Sequence, residues 1–99
     1  MNIDRDSIVV RNDEPLAASV DREVVLLSVQ AEAYFGLGEI GSDIWELIAT
    51  PLPVSDLCAR LTERYDVDSE VCERDTLAFL VELLRQGLIR LVNKGPTAP

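Results

Sequence analysis

Strand-like sequence and helix-like sequence are segregated along this chain. Short runs of β-branched and apolar residues bounded by turn formers fill the stretch before Gly38, and helical periodicity begins after it. Strands followed by helices specify an α+β arrangement, a small antiparallel sheet packed on a helical bundle.

The strand half reads in detail as follows. Ser7-Ile8-Val9-Val10 is a short apolar run, broken by the turn formers Asn12-Asp13-Glu14-Pro15. Leu16 to Val20 is extended, Asp21-Arg22 turns the chain, and Glu23 to Val29 is β-branched and apolar. Gln30-Ala31-Glu32 makes a second tight turn before the strand Ala33 to Leu37. A three-stranded meander results, although neither turn carries Asn-Gly or Asp-Gly.

In the helical half, Ile40, Ile44, Leu47 and Ile48 recur at helical spacing with Trp45 beside them. Thr50-Pro51-Leu52-Pro53 ends that helix, because proline lacks a donor and forces the preceding residue extended. A second helix follows Val54-Ser55-Asp56, with Leu57, Ala59, Leu61 and Tyr65 as its apolar side. Asp68 or Ser69 can cap a third, which runs to about Gln86 with Gly87 as C-cap. Leu88 to Val92 suits a short last strand, and Lys94 to Pro99 reads as a frayed tail. The domain organisation expected is an N-terminal extended segment over 1–15, one domain over 16–92 and a flexible tail over 93–99.

The 99 residues suffice for one core, and a hydrophobic fraction of 47% argues against disorder. No apolar run approaches the roughly 20 residues of a membrane span, and the charged start Asn2-Ile3-Asp4-Arg5-Asp6 lacks a secretory pattern. A cytoplasmic protein without membrane contact is expected. Cys58 and Cys72 form no disulfide framework, and without histidine or a CxxC they are poor metal ligands; they read as small apolar residues on helices. A formal charge of −9 disfavours nucleic acid, whose phosphates demand lysine and arginine. Catalysis has little to stand on: there is no histidine, no GxSxG, no Gly-rich phosphate loop and no cofactor motif. The acidic pairs Asp66/Asp68 and Glu70/Glu73 suit a helix N-terminus better than a cation.

The third helix carries the functional signal. One apolar stripe is Leu77, Leu80 or Val81, Leu84 and Leu88, the expected core face. A second is Cys72, Thr76, Phe79 and Leu83. Two stripes mean either that the chain packs both sides of the helix or that one side borders a groove. Three short strands have little area to cover a helix twice, and they leave an edge with unpaired N–H and C=O groups. An edge strand beside an apolar helix face is the arrangement that accepts a guest strand. Trp45 is expected in the core. Tyr34 and Phe35 must face opposite sides of their strand, and Asp75, beside Arg74, is either plain surface or the groove's acidic rim.

The segment Tyr34-Phe35-Gly36-Leu37-Gly38-Glu39-Ile40-Gly41-Ser42-Asp43-Ile44-Trp45-Glu46-Leu47 resembles the central signature of the PqqD-like family. Tyr65-Asp66-Val67 and Glu73 to Leu80 are similar too, and the likeness spans about residues 16–92. The resemblance implies a winged helix-turn-helix-like fold of three strands and three helices, and the role of a RiPP recognition element. Such a domain binds the leader of a ribosomal precursor peptide as an extra strand. The peptide-binding positions it implies here are Glu32, Ala33, Tyr34 and Phe35 on the strand and Cys72, Asp75, Thr76, Phe79 and Leu83 on the helix. It further implies no cofactor, and as partners the precursor leader, a leader peptidase and a macrocyclase of a lasso-peptide pathway. Alternatives are the peptide chaperone of pyrroloquinoline quinone biosynthesis, a DNA-binding winged helix, and a homodimer sealed by the second stripe. The third helix argues against DNA, with Glu70, Glu73, Asp75 and Glu82 against Arg74 and Arg85.

Overall fold

A computed structural model of the chain describes residues 3–30 and 32–92. In chain order its elements are β1 (Ile8–Arg11), β2 (Leu16–Val20), β3 (Glu23–Ser28), β4 (Ala33–Gly36), α1 (Gly38–Leu47), β5 (Leu52–Pro53), α2 (Val54–Arg64), α3 (Ser69–Arg85) and β6 (Ile89–Val92). The α+β class and the expected meander both form: β2, β3 and β4 make an antiparallel sheet in that order. Val20 pairs with Glu23 across a two-residue turn in which Asp21 and Arg22 take φ of 52° and 76°. Positive φ at both positions defines the type I′ geometry that matches strand twist, here without a glycine.

A second antiparallel sheet, in the order β5-β1-β6, adds to the three strands expected. Ile8 to Arg11 pair with Val92 back to Ile89, and Ile8 and Val9 pair with Pro53 and Leu52 on the other side. The run Ser7 to Val10 and the last strand are thus partners. Their separation in sequence hides a pairing that no local turn announces. Residues 93–99, read above as a tail, lie outside the described residues.

The core lies between the two sheets' inner residues and the helices. Val9, Leu26, Ile48, Val54, Leu57, Leu61, Leu80, Leu88 and Ile89 are its most buried apolar members. Trp45 is buried as expected, and the Arg11 guanidinium lies 5.4 Å from its ring centroid while Arg11 Nη1 donates to its carbonyl. Cys58 and Cys72 are buried free thiols, and burial pushes the Cys58 thiol up from its ordinary pKa. On α2, Cys58 rather than Ala59 joins Leu57 and Leu61 inside; Ala59 is exposed.

On α3 the two stripes are redistributed. Cys72, Thr76, Leu80 and Leu83 are the buried residues, while Leu77, Phe79 and Leu84 are half-buried against the core. Most of the second stripe therefore serves the chain's own packing, because α2 lies along that side of the helix. Asp68 takes the N-cap position with extended backbone but makes no side-chain capping bond. At the other end, the Gly87 N–H donates to Leu84 and the Leu88 N–H to Leu83, with φ of 76° at Gly87. That Schellman pair turns the chain directly into β6.

Candidate functional site

The bare edge of the meander is β4. The Leu37 N–H donates to the Val24 carbonyl, and the register then makes Phe35–Leu26 and Ala33–Ser28 the hydrogen-bonded pairs. The N–H and C=O groups of Tyr34 and Gly36 consequently point away from β3, and no described strand pairs with them. The same alternation settles the aromatic pair. Phe35 shares the face of buried Leu26 and packs on the core, whereas Tyr34 is 77% exposed on the other face.

From β4 the chain passes through buried Leu37 into α1, and Gly38 at φ 72° makes the turn. The junction is clamped by Ser42, whose buried hydroxyl accepts from the Val24 N–H at 2.7 Å and donates to the Gly38 carbonyl. One turn along, α1 touches α3. A Cβ on Gly41 would stand 2.9 Å from Phe79 Cζ, so a larger residue here would push the phenyl ring aside. Phe79 is thereby tied to the C-terminal end of the β4 edge.

Beside that contact lies a small apolar pit of about 90 Å³. Ile40 of α1, Leu61 and Tyr65 at the end of α2, and Val67 of the linker form one side; Val71, Cys72, Asp75 and Thr76 of α3 form the other. Ile40, Val67 and Val71 are 45%, 40% and 39% exposed, which leaves greasy surface facing solvent around the opening. The Tyr65 hydroxyl donates to the Asp43 carboxylate, and this bond, ahead of burial, pushes its pKa up to about 12. Arg64 Nη1 sits 3.6 Å from the same carboxylate.

The expected positions fall into three groups. Cys72, Asp75 and Thr76 share the pit, with Asp75 exposed and the other two buried. Glu32, Ala33, Tyr34 and Phe35 lie on or beside the β4 edge, Glu32 at a φ of 51°. Phe79 links the two through Gly41, while Leu83 is 4% exposed and lies in the core, away from the pit. Ile40, Val67 and Val71 escaped the sequence reading. Ile40 keeps helical phase with the core residue Ile44, and only its place at the helix start exposes it. Val67, Val71 and Asp75 recur every four residues, a signal visible only if the pre-helical Val67 is counted. A larger open cavity of about 490 Å³ beside Arg5, Ser55, Thr62 and Glu70 contains none of the expected residues. Among the described residues no cluster of metal-binding side chains occurs, and no helix is long and apolar enough to cross a membrane.

Comparison with known proteins bears on this arrangement. Residues 23–89 match the family model for coenzyme PQQ synthesis protein D (PqqD). No curated protein matches the chain. Among solved structures, TbiB1 in complex with the TbiA(beta) leader peptide is similar at 34% identity and a TM-score of 0.75, covering 82% of this chain and 94% of that one. The matched span runs from β3 through α3 into β6 and includes the bare edge, the glycine contact and the pit: the chain belongs to the PqqD family.

Proposed function

We propose that this chain is a RiPP recognition element that captures the leader of a ribosomal precursor peptide and has no catalytic role of its own. The observation that carries the reading is the bare β4 edge joined to Phe79 and the apolar pit, in a chain similar to a protein solved with a leader peptide. The leader extends along β4 and exchanges hydrogen bonds with Tyr34 and Gly36, then places apolar side chains toward Phe79 and the pit. Each ladder bond nets about 0.5–1.5 kcal/mol and each buried anchor about 1.5–3 kcal/mol. Four or five bonds and two anchors, less the cost of ordering the peptide, reach roughly micromolar to nanomolar affinity. Exposed Asp75 at the rim and the overall charge of −9 favour a guest with a basic residue near its anchors.

The finer reading is a lasso-peptide pathway, in which the bound leader is presented to a leader peptidase and a macrocyclase in the cytoplasm. It rests on the resemblance to the PqqD-like family over about residues 16–92, which implies a leader-binding role and by which the lasso pathway is favoured over the pyrroloquinoline quinone one. Fluorescence-polarisation titration with a lasso leader and with a pyrroloquinoline quinone precursor separates the two pathways. Phe79→Asp is expected to weaken leader binding about 100-fold, the loss of one buried anchor. Circular dichroism checks its fold, and Asp75→Lys, on an exposed side chain, provides a variant without that concern. Unchanged affinity in both variants removes the groove from the reading.

A further inference from the structure

The apolar pit lies where two packed units meet. On one side α1 rests on β3, and on the other α2 lies along α3. At the start of α1 the contact of Gly41 with Phe79 limits how closely that helix approaches α3. A ring contact of this kind does not stop the helix from drawing back, and Tyr65 is placed to do so. Tyr65 follows α2 directly with extended backbone. Its N–H donates to the Leu61 carbonyl, and its own carbonyl accepts from the Val67 N–H, each at 2.9 Å. Its ring lines the pit beside Leu61 and Val67. Its hydroxyl crosses to α1 and donates to Asp43, one turn beyond the pit residue Ile40. We infer that Tyr65 and Asp43 form a brace that fixes the opening of the pit, which makes them positioning residues for the guest's anchor; this rests on the leader reading proposed above.

The brace joins the two walls directly, with Ile40 on one and Tyr65 and Val67 on the other. A hydrogen bond to a carboxylate is roughly twice as strong as one between neutral groups, and Arg64 Nη1 holds the same carboxylate from the last turn of α2. With its pKa pushed up to about 12, the Tyr65 hydroxyl stays a donor throughout the neutral range. The pit, at about 90 Å³, is smaller than the roughly 150 Å³ cavity that admits a benzene ring, so a slight widening changes what fits it.

Thiol accessibility reads the opening without any guest. Cys72 lines the pit and Cys58 lines the larger open cavity, and each is 8% exposed, so Cys58 is an internal control for Cys72. The full chain is alkylated with iodoacetamide, and both cysteines are followed by peptide mass spectrometry. Tyr65→Phe keeps the ring and removes only the hydroxyl. It is expected to speed alkylation of Cys72 about three- to tenfold and to leave Cys58 unchanged. Asp43→Ala should do the same, whereas Asp43→Asn, which keeps a carbonyl acceptor, should stay near the parent rate. A Cys72 rate unmoved by Tyr65→Phe and Asp43→Ala overturns the inference. So does equal acceleration of both thiols, which a general loosening of the fold would produce.

A leader that binds the parent in the polarisation titration should leave Tyr65→Phe about threefold faster, at an unchanged on-rate. An unchanged off-rate in a variant whose Cys72 has become reactive takes the brace out of capture and overturns its positioning role. Should no leader bind the parent, the leader reading falls, and the thiol rates still decide whether the brace holds the pit.

Discussion

The β2 and β4 edges belong to one sheet and share one central strand, yet their surroundings differ. Beyond β4 lie Phe35 on the core, the first turn of α1, Phe79 and the pit. Beyond β2 no described strand or helix forms a wall, and every residue of the strand is exposed. Backbone groups attract any extended chain, but only side-chain pockets discriminate among sequences. The walled edge offers side-chain pockets that can discriminate among extended chains, as the proposed leader capture requires. The open edge offers backbone groups and little else, so it selects for no more than strand geometry.

Ser42 tests what the two edges hold in common, and its substitution is expected to have the largest effect. It secures β3, to which both are paired, through the Val24 N–H. Ser42→Ala should cost about 1–3 kcal/mol in urea unfolding, the penalty of a buried donor left without its acceptor. No loss of stability would mean that Val24 re-pairs with the Leu37 carbonyl. Tyr34→Pro separates the edges, because it removes an outward donor of β4 and leaves the β3 ladder whole. Leader affinity should fall about two- to tenfold, the worth of one ladder bond, whereas proline at the outward-facing Ala17 of β2 should leave it unchanged. A wild-type affinity would take the guest off β4. The smallest effect belongs to the pit. Its raised pKa means that the Tyr65–Asp43 bond contributes in full below pH 10 and is lost as pH rises through about 12. In a Tyr34→Phe background the phenolate absorbance should titrate near 12, and alkaline unfolding of the Tyr65→Phe variant should converge on that of the parent above it.

How much of this could be read from residues alone depended on distance along the chain. The meander was legible because its turns and its period-2 runs are local, and the α3 C-terminus because Gly87 marks it. The β1–β6 ladder was not, since Val9 and Leu91 carry no sign of each other. The two stripes of α3 were visible, but their division was not. Which side is covered depends on where α2 lies, so Leu83 and Thr76 went inside while Phe79 stayed half-exposed. Gly41 gave no warning at all, because its importance lies in an absent Cβ measured against Phe79.

The long-range ladder also governs how the molecule bears tension. Ile8, where β1 begins, lies beside Val92, where β6 ends, and the two strands run in opposite directions. Force applied through the two ends, as by flanking domains or a processive unfoldase, loads this seam like a zip, one rung after another, and not as a shear in which all rungs resist together. The grip of Ser7 and Arg5 on Val54 and Ser55 gives way next to it, while the meander stays folded until the seam has opened. Mechanical threading of this domain should thus need little force at its ends, although the β4 edge proposed to take the leader sits in the part that yields last.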